Sequence, residues 1–570
     1  MHVISTAGHV DHGKSTLVHT LTGIDPDRWA EEKARGLTID LGFASCKLPS
    51  GRSIAIIDVP GHVRFIKNML AGVGAIDACI FVVAATEGWK PQSEEHLRIL
   101  ELLGVQHGVI ALTKVGIADD DLRELARIDV EEHVAGTFLE DAELIEIDCI
   151  ESIGVDEFRS ALDRLIDSTP AAADVGRPRL WIDRAFAAKG AGTVVTGTLT
   201  GGRLRVDDEI VLWPEGRPVR VRGLQSHHES RTKIGPGNRV AVNLAGVSHE
   251  DVERGHVLVA PNQWHVTRRV DAELRVLDSL SHVVSRRGAY VAYIGSEEQP
   301  VKLRILGPNS IAPGNVGQVR MHLRDAVPLL PGDRFVLRES GRAETVGGGE
   351  VLDVEPIVPA SRARPDRSVD RVIAERRWIE PARLHLLTGE RRTATVGKWV
   401  VDPDVLERTL ADLRTRIEAA GPLGLDVASL DEHERAGLAL LGEIAVESGR
   451  ARPRGQADPL ADHPYVAALE ASLLAPPDPV GVDRAELREL VKSGRVVEVD
   501  GVFFAPSAFD RAAQLCAQLL REHPDGFTVA DFRDAAHNSR KHALPILNRL
   551  DATGVSRRRG DYRIAGPRLP

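Results

Sequence analysis

The stretch GHVDHGKST, residues 8–16, indicates which kind of domain begins this 570-residue chain. It follows a short apolar strand and fits the pattern G-x4-G-K-[ST], in which backbone N–H groups cradle phosphates at a helix N-terminus. Lys14 would neutralise charge on the β- and γ-phosphates, and the Ser15 hydroxyl would bind Mg²⁺. We expect the whole loop to bind the nucleotide: Gly8, His9, Val10, Asp11, His12, Gly13, Lys14, Ser15 and Thr16.

A second motif, IIDVPGH at residues 56–62, ends the next buried strand. Asp58 would reach Mg²⁺ through a water molecule, and the Gly61 N–H would sense the γ-phosphate. His62 then follows as the predicted catalytic residue, placed to orient the attacking water. Thr38 is the predicted second hydroxyl ligand of Mg²⁺, on a loop that orders only with a triphosphate.

The pattern of apolar segments divides the chain into domains. SIAIIDVPG, ACIFVVAATEG and HGVIALTK read as buried parallel strands that alternate with helices, which predicts a doubly wound α/β domain over residues 1–170. Short alternating segments with glycine turns follow, such as GTVVTGTLTGG and GNRVAVNLAGV. They predict two β-barrels, over residues 179–262 and 263–357.

The last third of the chain is predominantly helical. Helices followed by short strand pairs are the outline of a winged helix. We predict winged-helix modules over residues 366–508 and a final one over residues 509–567, three or four units in all. The predicted fold class is therefore multidomain: an α/β phosphate-loop domain, two β-barrels and tandem winged helices.

Composition excludes several classes of protein. Hydrophobic residues make up 43% and charged residues 27% of the chain, as in soluble globular proteins. No apolar run approaches the roughly 20 residues of a membrane span, and no charged leader precedes an apolar stretch. The four cysteines form no CxxC pair, which favours neither a disulfide framework nor a zinc site. We expect a cytoplasmic monomer that does not contact membranes.

GHVDHGKST, RGLTID and DVPGH together resemble the translational GTPases, the family of elongation factor Tu. The stretch DRWAEEKARGLTIDLGFA, residues 27–44, is most similar to the selenocysteine-specific branch of that family. The resemblance runs through the first domain and both barrels and returns at the C-terminus. It implies a GTPase that alternates between GTP and GDP with Mg²⁺, with His62 catalytic and Val10 and Leu37 as a hydrophobic gate beside it.

The base-reading loop departs from the family pattern [NT]-K-x-D, whose aspartate accepts hydrogen bonds from guanine N1–H and N2–H₂. Thr113 and Lys114 are present, but Gly116 replaces the aspartate. The last nucleotide motif is also altered, to Asp148-Cys149, where the Cys149 N–H can still meet guanine O6. Losing a bidentate charged contact costs about 2–4 kcal/mol, so we expect a working GTPase with weaker guanine selectivity. The sequence leaves open whether the two altered motifs compensate each other.

The segment IDRAFAAKGAGTVVTGTLTGG, residues 182–202, resembles the start of the first barrel in these factors. In the selenocysteine-specific branch this barrel carries the aminoacyl pocket, and the matching residues here are Asp183, Arg184 and Arg239. Two arginines would favour a selenolate over a neutral serine hydroxyl, and Asp183 would hold the α-amino group or an arginine. The residue types alone describe an ion pair at a barrel rim equally well.

Cationic residues are concentrated in HNSRKHALPILNRLDATGVSRRRGDYR, residues 537–563, although the chain as a whole has a net charge of −11. Arg540 and Lys541 would begin a helix, and Arg557, Arg558 and Arg559 lie in the predicted wing. Such groups can bind the phosphates of an RNA hairpin, although a solvated charged face or a DNA-binding module would have the same outline. The resemblance implies binding of the messenger-RNA hairpin beside a recoded UGA codon.

These features predict a GTP-dependent elongation factor that delivers selenocysteyl-tRNA to the ribosome and is tethered to a messenger-RNA hairpin. One alternative is a general aminoacyl-tRNA or initiator-tRNA carrier with impaired guanine specificity. The other is an RNA-binding adaptor that no longer hydrolyses nucleotide. The three pocket residues and the long tail argue against the first, and the intact phosphate and Mg²⁺ residues argue against the second.

Overall fold

The computed structural model describes residues 2–26, 38–62, 65–190, 192–227, 229–456 and 458–570. The predicted gate residue Leu37 lies outside these ranges. Two compact units make up the chain, Met1–Thr393 and Ala394–Pro570. The first holds an α/β domain and two barrels, the second holds winged helices, and the predicted multidomain fold class is confirmed.

A six-stranded sheet forms the α/β domain, in the order β2-β3-β1-β4-β5-β6. Only β2 and β3 pair antiparallel; the other neighbours are parallel. The strands are β1 His2–Gly8, β2 Gly42–Lys47, β3 Ser53–Asp58, β4 Ala78–Ala84, β5 Gly108–Thr113 and β6 Leu144–Ile147. The helices are α1 Lys14–Thr22, α2 Ile66–Val73, α3 Pro91–Leu102, α4 Asp120–Val134 and α5 Val155–Ser168, with a 3-10 turn at Val115–Ile117.

Strand β4 shows why helices cover both faces of this sheet. All seven of its residues are buried. Because successive side chains point to opposite faces, Ile80 packs in one apolar cluster with Phe158 of α5, whereas Phe81 packs in another with Leu97 of α3. Because β1, β3 and β5 run parallel, their carboxyl ends lie at the same end of the sheet, where ligands bind in open α/β folds.

Both barrels are closed. In the first, the ring runs through Glu209–Trp213, Val257–Val259, Arg179–Trp181, Gly192–Thr200, Asn238–Ala245 and Arg217–Ser226, and the last strand pairs back with the first. Its other strands are Arg184–Ala188, Leu204–Arg205, Glu229–Arg231 and Lys233–Ile234, and a 3-10 turn lies at His249–Asp251. Inward-facing valine, leucine and isoleucine side chains fill its interior.

The second barrel closes through Val266–Val276, Val316–Pro328, Glu297–Ile305, Tyr290–Ile294, Arg334–Glu339 and Glu344–Asp353. Two short strands, Val284–Ser285 and Ser310–Ile311, pair outside the ring. Helices Val369–Arg376 and Pro381–Thr388, with a short strand at Trp378–Ile379 between them, complete the first unit.

Three successive units of helices followed by a strand pair occupy residues 400–456 and 458–565 of the second unit. The first contains Val400–Val401, Pro403–Ala419, Gly421–Leu423, Leu425–Asp426, Val427–Ser429, Glu432–Leu438, Ile444–Glu447 and Arg450–Pro453. The second contains Pro464–Ala471, Arg484–Lys492, Val497–Val499 and Val502–Phe504. The third contains Ser507–Glu522, Phe527–Thr528, Val529–Ala535, Arg540–Thr553, Ser556–Arg559 and Tyr562–Ala565.

The third of these modules has the complete winged-helix arrangement. Its three strands pair in the order 527–528, 562–565, 556–559. Phe527, Phe532 and Leu547 are fully buried in a core between the three helices and this small sheet.

None of the helices within the described ranges has the length and apolar character that a membrane span requires.

Candidate functional site

The phosphate loop joins β1 to α1 through two glycines whose backbone conformations exclude other residues. Gly8 has a φ of 129°, and a side chain there would collide with the Val82 carbonyl on β4. Gly13 caps α1 in the left-handed region with a φ of 87°. The loop therefore turns sharply enough to direct the α1 N-terminus toward the strand ends, which creates a site for an anion.

Lys14 is held inside this loop. Its Nζ donates to Gly8 O at 3.0 Å and to His9 O at 2.5 Å. Burial lowers the pKa of Lys14 to about 8, although the nearby Asp58 carboxylate opposes this shift. The ammonium group thus lies at the position where it can neutralise phosphate charge.

The three predicted Mg²⁺ ligands come together beside the loop. The Ser15 hydroxyl donates to Asp58 Oδ2 at 2.7 Å and lies 2.8 Å from Thr38 Oγ1. Asp58 is fully buried, and Thr6 on β1 donates to its Oδ1 at 2.7 Å. Two hydroxyls and a carboxylate are hard oxygen donors, so this set fits Mg²⁺. Thr6, which the sequence analysis missed, holds Asp58 in place.

Gly61 lies directly against the phosphate loop. A Cβ at this position would be 2.7 Å from the Val10 nitrogen and would also collide with Lys14 Nζ, so no larger residue fits. His62 follows, half-buried, with its ring centroid 5.9 Å from that of Phe65. The predicted γ-phosphate sensor Gly61 therefore lies next to Lys14, and the predicted catalytic His62 directly follows it in the chain.

Helix α3 supports the phosphate loop through two residues that the sequence analysis missed. His96 Nδ1 accepts a hydrogen bond from Gly8 N at 3.1 Å, and Gln92 Oε1 accepts one from Val10 N at 3.2 Å. Their spacing of four residues, which puts both on one helix face, was the signal available in the sequence. His12 is also fully buried, and burial lowers its pKa to about 3, which keeps its ring neutral.

The predicted base-reading residues surround a cavity of about 250 Å³ that opens from the phosphate loop at Gly13 and Thr16. Thr113 Oγ1 donates to His12 O at 2.6 Å and so ties the base loop to the phosphate loop. Lys114 adopts a left-handed conformation, with a φ of 60°, and its Nζ lies 3.3 Å from a Glu87 carboxylate oxygen.

The opposite wall of this cavity is the loop after β6. Gly116 N donates to Asp148 Oδ2 at 3.1 Å, which ties this loop to the base loop. Cys149 lines the cavity beside Asp148, and its N–H donates to none of the residues that the structure describes. The structure thus brings together Thr113, Lys114 and Cys149 as well as the glycine that replaces the family's aspartate.

The three predicted pocket residues of the first barrel also lie together. Asp183 forms a bidentate ion pair with Arg239, whose Nη2 lies 2.9 Å from Asp183 Oδ1. Thr196 donates to the same carboxylate at 2.7 Å. Arg184 and Arg239 both line a cavity of about 370 Å³. Of the two roles predicted for Asp183, the structure places it against an arginine.

Phe43 of β2 closes the α/β-domain side of this pocket. Its ring centroid lies 4.3 Å from Arg184 Cζ and 3.4 Å from Arg239 Cζ, and stacking of this kind is a cation–π interaction. Arg184 also donates to the Leu41 carbonyl, just before β2. Phe43 could not be predicted from the sequence, because no local pattern relates a residue on β2 to a barrel about 140 positions further along the chain.

Arg254 connects this pocket with residues 38–41, which we call the Thr38 segment. It donates to Asp40 Oδ1 at 2.7 Å, to Asn68 Oδ1 on α2 at 3.0 Å and to the Asp183 carbonyl at 3.0 Å. Asn68 in turn donates to Ile39 O at 2.8 Å. Arg254 therefore joins the segment that carries the Mg²⁺-site hydroxyl of Thr38 to the backbone beside the arginine pocket.

All five predicted RNA-binding residues lie in the final winged helix and are exposed: Arg540, Lys541, Arg557, Arg558 and Arg559. The first two begin the helix Arg540–Thr553, and the other three lie on the strand Ser556–Arg559 of the wing. Lys541 Nζ lies 2.6 Å from an Asp478 carboxylate oxygen. Arg563 differs from them, because it is buried against Asp551.

Comparison with known proteins agrees with this architecture. The family model "Elongation factor Tu GTP binding domain" matches residues 1–169, and "Elongation factor Tu domain 2" matches residues 192–259. Elongation factor Tu 2 of Streptomyces avermitilis is 31% identical over 386 residues, which cover 62% of this chain and 96% of that protein. The chain belongs to the elongation factor Tu family. The resemblance read from the sequence is thereby confirmed.

Within this family, the similarity extends to a specialised branch. The selenocysteine-specific elongation factor of Desulfomicrobium baculatum is 39% identical over 351 residues, which cover 62% of this chain and 55% of that protein. The chain thus matches little more than half the length of that relative. The model "Elongation factor SelB, winged helix" matches residues 518–565. A bacterial selenocysteine-specific elongation factor EF-Sec of known crystal structure shares the fold, with 24% identity, a TM-score of 0.71 and 99% coverage of both chains.

Proposed function

We propose that this chain is a cytoplasmic, monomeric translation elongation factor that delivers selenocysteyl-tRNA to the ribosome at recoded UGA codons. In this proposal it binds GTP, hydrolyses it to GDP and phosphate on the ribosome, and releases the tRNA as a result. One observation carries the proposal. Arg254 donates hydrogen bonds both to Asp40 of the Thr38 segment and to the backbone carbonyl of Asp183, so it joins the segment expected at the γ-phosphate to the two-arginine pocket.

The residues around the phosphate loop have the chemistry that GTP hydrolysis needs. Lys14 would neutralise the phosphates, and the Gly61 N–H would contact the γ-phosphate. His62 would hold the attacking water in line with the scissile bond. Ser15 and Thr38 would bind Mg²⁺ directly and Asp58 through water; when bound, Mg²⁺ neutralises charge that develops on the phosphate oxygens.

The barrel pocket has the charge that a selenolate requires. Asp183 holds Arg239 in a fixed orientation and offsets part of its charge, while Arg184 keeps its own. A selenol is ionised at neutral pH and can accept charge-assisted hydrogen bonds from both guanidinium groups, whereas a serine hydroxyl remains neutral. The discrimination between the two amino acids would therefore be electrostatic.

The final winged helix supports an RNA contact. Its five exposed cationic groups lie on one helix start and on the wing, the two elements with which this fold contacts nucleic acids. We propose that they bind the phosphates of a messenger-RNA hairpin, which would hold the factor near the codon that it serves.

The test is competition between selenocysteyl-tRNA and seryl-tRNA on the same tRNA body, with a non-hydrolysable GTP analogue bound to the intact chain. We expect preference for the selenocysteyl form, reduced about 10- to 150-fold in Arg184→Ala or Arg239→Ala, because a charged hydrogen bond contributes about 1.5–3 kcal/mol. Arg217→Ala is the matched control, since Arg217 lies on the same barrel but pairs with Asp251 at the exposed surface.

The outcomes separate the candidate functions. Equal binding of both tRNAs by the intact chain would identify a general carrier instead. GTP binding without hydrolysis on ribosomes would identify an RNA adaptor. Loss of the preference in the control variant as well would show that the two arginines act through the stability of the barrel and not through the ligand.

A further inference from the structure

The space next to Gly116 is filled by carboxylates from a different loop. A Cβ built on Gly116 would lie 2.8 Å from Glu151 Oε2 and 3.0 Å from Asp148 Oδ2. In the family pattern, an aspartate at this position supplies the carboxylate that accepts from the guanine edge. Here the loop after β6 brings negative charge to the place that the side chain at position 116 would enter.

The two carboxylates differ in what they can still bind. Asp148 is buried, and its oxygens accept from three backbone groups: Ile150 N at 2.9 Å, Glu151 N at 3.0 Å and Gly116 N at 3.1 Å. These bonds fix the shape of the loop and tie it to the base loop. The Glu151 carboxylate is exposed and accepts no hydrogen bond from the residues that the structure describes. It therefore remains available to a ligand.

Glu151 also borders the cavity in which the base of a bound nucleotide would lie. It lines the same space of about 250 Å³ as Gly13 and Thr16 of the phosphate-loop end and Lys114 of the base loop. A nucleotide with its phosphates on that loop would place its base between Lys114 and the loop after β6. A carboxylate there can accept from both N1–H and N2–H₂ of guanine, whereas adenine has no donor at either position.

We propose that Glu151 supplies the base-reading carboxylate of this protein and that Asp148 is its positioning residue. This inference rests on the proposed binding of GTP. Compared with the family pattern, the acid lies on the loop after β6 instead of on the base loop. Gly116, which has no side chain, leaves room for it. Guanine selectivity is accordingly retained, contrary to the weaker selectivity that the sequence pattern predicts.

If Glu151 reads the base, an acid added at position 116 should weaken nucleotide binding. In Gly116→Asp, a third carboxylate would enter a space already bordered by Asp148 and Glu151, and like charges at this distance repel. We expect this variant to bind GDP more weakly than the intact chain, although it restores the family motif. The double variant Gly116→Asp with Glu151→Ala should recover guanine binding, because only one base-reading acid is then present.

The deciding experiment measures the affinities of the full chain for GDP and for XDP, with fluorescent analogues and Mg²⁺ present. Xanthine carries a carbonyl in place of the guanine N2 amino group. Glu151→Gln replaces an acceptor by an amide that can donate to this carbonyl, so we expect GDP affinity to fall about 30-fold or more and XDP affinity to rise. Glu157→Gln, an exposed acid in the first turn of α5, is the matched control and should change neither.

The results discriminate between this inference and the proposed function. An unchanged GDP to XDP ratio in Glu151→Gln, with GDP still bound, would overturn the role of Glu151 alone. Absence of any guanine-nucleotide binding by the intact chain would overturn both. Recovery of GDP binding in the double variant, but not in Gly116→Asp, would support the transfer of the acid between the loops.

Discussion

Arg254 is the residue whose removal best tests the proposed link between nucleotide binding and tRNA binding. Its guanidinium joins three places: Asp40 of the Thr38 segment, Asn68 of α2 and the Asp183 carbonyl beside the pocket. The side chain is 29% exposed and Asp40 is 21% exposed, so water screens the interaction only in part. Arg254→Ala would remove all three hydrogen bonds without touching either proposed ligand.

The size of the effect follows from the number and kind of these bonds. A hydrogen bond to a charged group contributes about 1.5–3 kcal/mol, with partial exposure favouring the lower end. Some of this free energy stabilises the domain contact in every nucleotide state. The part that depends on the Thr38 segment should be about 1–3 kcal/mol, the range of typical coupling energies between sites. We therefore expect the GTP-dependent gain in tRNA affinity to shrink about 5- to 150-fold.

The assay compares selenocysteyl-tRNA affinity with GDP and with a non-hydrolysable GTP analogue, for the intact chain and for Arg254→Ala, Asp40→Ala and the double variant. We expect the two single changes to be non-additive, because both remove the contact between Arg254 and Asp40. Arg217→Ala serves again as the control on the same barrel. An unchanged ratio of the two affinities in Arg254→Ala would refute a coupling role for this network.

Three further predictions concern separate parts of the chain. His62→Ala should lower GTP hydrolysis on ribosomes about 10²–10⁴-fold with unchanged nucleotide affinity. Gly61→Ala should also impair nucleotide binding, because its methyl group would collide with Val10 and Lys14. Single-turnover kinetics would separate the effect on hydrolysis from the effect on binding. Burial raises the pKa of Glu297 to about 7 from an ordinary 4.5, and the nearby Asp325 carboxylate adds to the shift. The native state thus binds this proton more tightly than the unfolded chain, so stability falls as the pH rises from about 4.5 to 7. Glu297→Gln should unfold at a higher temperature than the intact chain at pH 8 but not at pH 4, and an equal difference at both would contradict this reasoning. Replacing Arg557, Arg558 and Arg559 by alanine should weaken hairpin-RNA binding and reduce its salt dependence by up to about three charges; an unchanged slope of affinity against salt would place the contact elsewhere.

Short-range residue patterns encode the local chemistry of this protein. The phosphate loop, the alternation of strands and helices and the barrel strands are encoded in residue types over short spans, because backbone conformation and side-chain periodicity depend on near neighbours. Lys14, Ser15 and Asp58 could be predicted for this reason. The family resemblance then added Asp183, Arg184 and Arg239, which residue types alone did not distinguish from a surface ion pair.

Contacts between residues far apart in the chain depend on how the whole chain folds. Asp183 pairs with Arg239, Phe43 stacks on both pocket arginines, and Glu151 borders the space left by Gly116. Each of these contacts joins segments that belong to different loops or domains, and no periodicity or spacing along the chain encodes such a distance. Along the sequence, the substitution at Gly116 reads as the loss of an acid, because the carboxylates that fill its place belong to the loop after β6, about 30 positions further on.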